Sequence, residues 1–137
     1  MTRAIAPSRL NPELHRLLLY AGFGLLGLAT DFLLFTWLRD FGLQIGFSNS
    51  LSYLAGTLLS FTLNFRFNFR SETELWRRLG SFVVIAALGA TGSSLVISAL
   101  APLVQFSELF LKALITVPFL AGQYVANRIV TFGRIGR

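Results

Sequence analysis

The chain is 137 residues long, contains no cysteine, and is 54% hydrophobic and 13% charged. Soluble domains are typically about 45 to 50% apolar and ~25% charged, so this composition excludes an ordinary soluble globular domain and favours a membrane protein. The lack of cysteine excludes a disulfide framework, a thiolate metal site and a cysteine nucleophile. In so apolar a chain, the net charge of +6 indicates contact with anionic lipid rather than with nucleic acid.

Four apolar stretches follow one another along the chain, and each can cross ~30 Å of hydrocarbon at ~1.5 Å per residue. The predicted transmembrane helices cover residues 17–38, 47–65, 79–101 and 109–126. The sequence therefore predicts an all-α, multi-pass integral membrane protein. No small-residue cleavage site follows the first apolar stretch, so the first helix is expected to remain in the mature protein.

The basic residues lie mostly on one side of the predicted helices. Ten of the twelve are in the first segment, the second loop or the end of the chain: Arg3, Arg9, Arg16, Arg66, Arg70, Arg77, Arg78, Arg128, Arg134 and Arg137. The links on the other side, residues 39–46 and 102–108, contain one basic residue, Arg39. The positive-inside rule then predicts a cytoplasmic N-terminal segment (1–16), a transmembrane domain (17–132) and a short cytoplasmic tail (133–137), in the cytoplasmic membrane.

A weak repeat with a spacing of 62 to 63 residues relates the two halves of the chain. The matched positions are Tyr20 with Phe82, Gly27 with Gly89, Asn64 with Asn127, and Phe69 with Phe132. Because each unit would contain two spans, both halves would have the same orientation, as in a parallel repeat with its axis near the membrane normal. The alternative is a coincidental similarity.

The sequence shows no catalytic constellation. The single histidine, His15, lies among leucines at the predicted membrane edge, where an interfacial side chain is the expected role. The acidic residues Glu13, Glu72 and Glu74 lie in arginine-rich segments, where charge pairing is expected. No glycine-rich phosphate loop occurs. We therefore predict a protein that is not an enzyme and has no metal site or cofactor.

The strongest local pattern is the pair of predicted helix ends at residues 64–70 and 127–132. Both place an asparagine, Asn64 or Asn127, beside a basic boundary. The planar guanidinium groups of Arg66 and Arg128 are suited to a pair of phosphate oxygens. The alternative is that these arginines extend to the membrane surface and only fix orientation.

These helix ends, with residues 16–22 at the start of the first helix, resemble the GtrA-like family of small four-helix membrane proteins. The resemblance covers about residues 14–132. Where the family often has arginine directly after the first asparagine, this chain has Phe65, and Arg66 follows. By this resemblance, seven residues are expected to bind or attract a lipid phosphate: Asn64, Arg66, Asn127, Arg128, Arg16, Arg70 and Arg78.

The resemblance also implies a function. Members are associated with polyprenyl-phosphate chemistry at the membrane, and a proposed role is to bind and translocate undecaprenyl or decaprenyl phosphate, free or sugar-linked, for cell-surface polysaccharide glycosylation. The alternative is a non-transporting anchor or docking subunit for a separate polyprenyl-phosphate glycosyltransferase. A small multidrug exporter is a third hypothesis, for which Asp31 would be the acidic residue. The expected partners are the lipid, the membrane, a glycosyltransferase and a second copy of the chain.

Asp31 and Lys112 are the charged residues inside the predicted spans. Asp31 lies 15 residues after Arg16, and Lys112 lies 16 before Arg128. Both are therefore expected ~22 to 24 Å from the inner boundary. Because an unpaired charge at the bilayer centre costs ~2.5 to 3.5 kcal/mol, we predict an ion pair joining the first and fourth helices. The pair could also form an outer polar station for a head group. The alternative is that Lys112 extends to the outer surface while Asp31 faces a water-filled groove.

Overall fold

The computed structural model describes residues 11–68, 75–127 and 129. These residues form four α-helices and no β-strand. The helices are α1 (Pro12–Asp40), α2 (Ile45–Asn68), α3 (Leu75–Leu100) and α4 (Glu108–Asn127). The predicted all-α, four-helix architecture is confirmed.

The helices extend beyond the apolar stretches that predicted them, most clearly at the start of α1. Proline is tolerated in the first turn of a helix because its missing N–H would have no partner there. The first turn is closed by a hydrogen bond from the His15 amide to the Asn11 carbonyl, at 3.0 Å. Helix formation therefore continues through polar residues that a hydropathy pattern assigns to a flanking segment.

Three of the four helices are long and apolar enough to cross a membrane: Leu18–Asp40, Leu79–Leu100 and Glu108–Asn127. Helix α2 has 24 residues but is more polar. Its polar side chains Ser48, Asn49 and Ser52 are buried inside the bundle. Because α2 packs between α1 and α3, its polar residues face protein rather than lipid.

Consecutive helices pack closely in the order α1–α2, α2–α3 and α3–α4. The tightest approach joins α1 and α2 at Gly27 and Gly56, where a β-carbon on Gly27 would lie 2.5 Å from the Gly56 carbonyl oxygen. Small residues allow helix backbones to come this close in lipid. Helices α1 and α4 have no comparable backbone packing in the described part of the chain.

Apolar side chains cover the outside of the bundle, and many polar side chains lie inside it. Leu25, Leu33, Leu88 and Leu95 are all more than 60% exposed. A small apolar core of Phe35, Ile97, Leu111 and Ile115 fills the bundle near the links α1–α2 and α3–α4. This distribution suits a hydrocarbon environment, in which exposed leucine is favourable and the polar groups must find partners within the protein.

Candidate functional site

A buried polar network lies inside the bundle around Lys112, which is 0% exposed. The ammonium group is 2.7 Å from Asp31 Oδ1 on α1. It also donates hydrogen bonds to Asn49 Oδ1 at 2.8 Å and to Ser52 Oγ at 3.3 Å, both on α2. The structure therefore brings Asp31 and Lys112 together. The ammonium remains inside the bundle and does not extend to the outer surface.

The network continues from α2 to α3 through Asn49. Its amide nitrogen donates to Ser93 Oγ at 2.9 Å and to Ser94 Oγ at 3.0 Å. Lys112 is further enclosed by the rings of Phe35 and Phe32, whose centroids lie 4.7 Å and 5.4 Å from Nζ. One connected set of side chains thus joins all four helices, which satisfies polar groups that would otherwise be costly in hydrocarbon.

A cavity of about 460 Å³ lies between α1 and α4, with α2 as its floor. It runs along α1 from Tyr20 to Asp31, a length of ~16 Å at the rise of an α-helix. Polar and aromatic side chains line it from all four helices: Tyr20 and Asp31 from α1, Tyr53, Thr57 and Ser60 from α2, Phe82 from α3, and Gln123, Tyr124 and Asn127 from α4.

The deep end of the cavity is acidic. Asp31 lines it, whereas the fully buried Lys112 lies behind the carboxylate and is not among the lining residues. Part of the wall is fixed by the Tyr53 hydroxyl, which donates to Gln123 Oε1 at 2.6 Å. A group that entered the cavity would therefore meet hydroxyl and amide groups along its length and a carboxylate at its end.

Three of the seven residues predicted to bind phosphate have described side chains: Asn127 at the end of α4, and Asn64 and Arg66 at the end of α2. Asn127 lines the end of the cavity opposite Asp31 and is 8% exposed. Asn64 is buried and donates from Nδ2 to the carbonyl of Ser60, which also lines the cavity, at 3.0 Å. Arg66 is exposed in the last turn of α2.

Four further arginines of the predicted site cannot be placed. Arg70 and Arg128 lie outside the described residues. Arg16 and Arg78 belong to α1 and α3, but their side chains lie outside the described part of the chain. The two asparagines are thus associated with the same end of the cavity, and the assignment of arginines to the phosphate stays a prediction.

An ion pair that the sequence analysis missed joins α1 and α4 at the other end of the bundle. Arg39 contacts Glu108 through two hydrogen bonds, Nε to Oε2 at 2.7 Å and Nη2 to Oε1 at 2.6 Å. The Arg39 guanidinium also donates to the Leu43 carbonyl. The sequence signal for this pair is the opposite charge of Arg39 and Glu108 in the two predicted links on this side, although a count of basic residues uses Arg39 only to assign topology.

A second, mostly apolar groove of about 470 Å³ lies between α3 and α4. It is lined by Ile85, Leu88, Gly89, Pro118, Phe119, Gly122, Gln123 and Ala126. Gln123 lines both this groove and the cavity between α1 and α4. Its side chain and the Tyr53 hydroxyl therefore form part of the partition between the two spaces.

Within the described residues, no group of three or more His, Cys, Asp or Glu side chains could hold a metal ion. The polar groups that line the cavity are hydroxyl and amide groups and one carboxylate, and they lie among apolar residues such as Leu25, Leu28 and Leu120. Such a site can bind and orient a polar group within the membrane.

The fold and the cavity define a four-helix membrane protein with a polar interior. The family model described as "GtrA/DPMS, transmembrane domain" matches residues 19–132, and the chain belongs to this family. No curated protein and no solved structure shows a significant match to the chain. Family membership confirms the resemblance found in the sequence and connects the protein with polyprenyl-phosphate sugar metabolism at a membrane. The family consists generally of non-catalytic membrane proteins.

Proposed function

We propose that the protein binds a polyprenyl phosphate, free or sugar-linked, and assists its translocation across the cytoplasmic membrane for cell-surface polysaccharide glycosylation. The lipid would be of the undecaprenyl or decaprenyl type. The observation that carries this proposal is the cavity between α1 and α4, in which buried hydroxyl, amide and carboxylate groups lie among apolar residues within reach of the lipid-facing surface. An amphiphile with a large polar head group needs such a space to cross hydrocarbon.

The physical requirement is the replacement of water around the head group. A polar group moved into an apolar medium without hydrogen-bond partners costs roughly 2 to 7 kcal/mol. Thr57, Ser60 and Asn127 offer hydroxyl and amide groups along the cavity. These groups can exchange hydrogen bonds with phosphate or sugar oxygens as the head group moves.

The phosphate is assigned to the end of the cavity at Asn127. Arg66 lies on that end of α2, and Arg128 directly follows Asn127 in the sequence. Asn64 lies beside them, and Arg16, Arg70 and Arg78 add positive charge at the same predicted boundary. A hydrogen bond to a charged group contributes roughly 1.5 to 3 kcal/mol, so each direct arginine contact should matter measurably.

Lipid binding by the purified protein tests this proposal. Arg66→Gln and Arg128→Gln should each weaken polyprenyl-phosphate binding about tenfold, equivalent to ~1.4 kcal/mol, in native mass spectrometry or a binding titration. Arg39→Gln is the matched control, because it removes the same charge at the opposite end of the bundle. It should leave affinity unchanged. If all three folded variants bind like the wild type, the arginines only orient the protein.

A further inference from the structure

The side-chain contacts of the bundle follow the 62 to 63 residue repeat. The contact between the rings of Tyr20 and Tyr124 joins α1 and α4, and the repeat relates these positions to Phe82 and Phe61, whose rings join α3 and α2. The repeat likewise relates Asp31 to Ser93 and Lys112 to Asn49. The ion pair between α1 and α4 therefore corresponds to the hydrogen bond from Asn49 to Ser93 between α2 and α3.

The bundle thus contains two related seams, the α1–α4 seam and the α2–α3 seam, but they differ in packing. The rings of Phe61 and Phe82 are stacked with centroids 4.1 Å apart. The planes of the Tyr20 and Tyr124 rings are tilted by 59° to each other, and their centroids are 6.0 Å apart. Both residues line the cavity between α1 and α4. The α2–α3 seam is closed by the stacked phenylalanine rings, whereas at the α1–α4 seam side chains contact each other beside the cavity.

The α1–α4 seam also opens sideways, towards the surface that faces lipid. Leu25 lines the cavity although it is 67% exposed, and Tyr124 lines it at 47% exposure. A β-carbon added to Gly24, another lining residue, would meet nothing within 4 Å. The cavity is therefore a slot with an apolar, lipid-facing rim, and its polar side chains, such as Asp31 and Thr57, are more than 90% buried.

We propose that the isoprenoid chain of the bound lipid leaves the cavity through the α1–α4 seam, so that the head group lies inside and the chain stays in the bilayer. This inference rests on the proposed function. The buried hydroxyl, amide and carboxylate groups of the cavity suit the head group, whereas the exposed rim at Leu25 and Tyr124 gives the hydrocarbon chain an apolar surface next to the bilayer. The chain can then remain in lipid throughout the passage of the head group.

The α3–α4 groove is the other apolar space that the chain could occupy, but the geometry disfavours it. A chain in that groove would have to pass the partition formed by Gln123 and the Tyr53 hydroxyl, which are joined by a hydrogen bond of 2.6 Å. At the α1–α4 seam, the described side chains of Tyr20 and Tyr124 contact each other through their rings, with no hydrogen bond between the two. A head group that moved outward along the slot would reach the Asp31–Lys112 ion pair. This pair closes the slot at that depth in this structure.

Because the chain contains no cysteine, pairs of introduced thiols can close either seam selectively. In Tyr20→Cys/Tyr124→Cys, a short bifunctional thiol reagent should slow lipid translocation in proteoliposomes about tenfold compared with the same protein before treatment. The matched control is Ser50→Cys/Ser94→Cys at the α2–α3 seam, where the two hydroxyl oxygens are 2.8 Å apart. Cross-linking this pair should leave translocation unchanged. If the translocation rate is the same before and after verified cross-linking of the α1–α4 pair, the isoprenoid chain does not leave through this seam.

A photoreactive lipid separates this inference from the proposed function. Polyprenyl phosphate that carries a benzophenone in the isoprene units next to the phosphate should label α1 and α4 near Leu25 and Tyr124. Excess unmodified lipid should suppress the labelling. Labelling near Leu88 and Phe119 that excess lipid suppresses would place the chain in the α3–α4 groove. This result would contradict the exit through the α1–α4 seam but not the proposed function. If the purified wild-type protein binds no polyprenyl phosphate, both proposals are wrong.

Discussion

Lys112 and Asp31 form one ion pair, but their surroundings are unequal. Lys112 has oxygen partners on Asn49 and Ser52 as well as on Asp31, and two phenylalanine rings enclose it. Asp31 lines the cavity, and Lys112 does not. The ammonium therefore serves mainly to balance the carboxylate and join helices, while the carboxylate is the member of the pair that a head group would meet.

Replacing Lys112 by methionine should destabilise the protein, because it leaves the Asp31 carboxylate buried without its counter-charge. We expect the free energy of unfolding in detergent to fall by ~3 to 5 kcal/mol, as for other broken buried pairs. The double variant Asp31→Asn/Lys112→Met should recover most of the loss. Neutralising both residues is a sharper test than exchanging the charges, because Asn49 and Ser52 are placed for the long lysine side chain.

The matched control for this prediction is Arg39→Met, which breaks the more exposed pair with Glu108. Exposed pairs contribute only ~0 to 1 kcal/mol, so the control should lower stability slightly. Equal stability of Lys112→Met and the wild type would show that the central pair does not hold the helices together.

At the scale of the helices, the α1–α2 pair depends on two glycines. A β-carbon on Gly27 would lie 2.5 Å from the Gly56 carbonyl oxygen and 2.8 Å from Ser60 Cβ. The first neighbour is backbone and cannot rotate away. The helices must therefore separate to accommodate even one methyl group at this position.

Gly27→Ala should accordingly lower the free energy of unfolding by ~1 to 3 kcal/mol, the usual cost of overpacking. Gly22→Ala in the same helix is the control, because its β-carbon would meet nothing within 4 Å. The control should be neutral or more stable by up to ~1 kcal/mol, since alanine is the better helix former. Chemical denaturation of both variants in the same detergent measures the difference. If Gly27→Ala is as stable as Gly22→Ala, the close approach of α1 and α2 at Gly27 does not contribute to the stability of the protein.

Hydropathy predicted the number of helices, because each apolar stretch is long enough to span a membrane. It did not predict the helix ends, since Pro12 and the polar residues after it continue α1 without adding apolar character. Equal depth along two helices was enough to pair Asp31 with Lys112. The contribution of Asn49 and Ser52 was missed because uncharged polar residues gave no comparable depth argument, although their spacing of three places them on one face of α2.

At the scale of the whole molecule, the distribution of arginine predicts the orientation in the membrane. Cysteine introduced at Ser71, in the basic loop, should be protected from an impermeant thiol reagent added to sealed cells. Cysteine introduced at Gln105, in the link between α3 and α4, should be labelled. Both should react after the membrane is permeabilised. Labelling of the Ser71 variant in sealed cells, with protection at Gln105, would reverse the proposed topology.

The site as a whole was only partly accessible from the sequence. The helix-end pattern indicated Asn64 and Asn127, and the structure associates both with one end of the cavity. The cavity itself could not be predicted, because it depends on α1 and α4 being joined by side chains while their backbones remain apart. That arrangement is a property of the assembled bundle and of no single segment.

We propose that the protein alone moves a polyprenyl phosphate across a bilayer, and a reconstituted translocation assay tests this most directly. Purified protein is placed in vesicles that contain the lipid, and an impermeant phosphatase is added outside. We predict hydrolysis of lipid from both leaflets. Gly24→Phe, which places a ring at the cavity, should slow it about tenfold, and Gly22→Phe, away from the cavity lining, should not. Hydrolysis limited to the outer leaflet with folded wild-type protein would contradict the claim and favour an anchor or docking subunit.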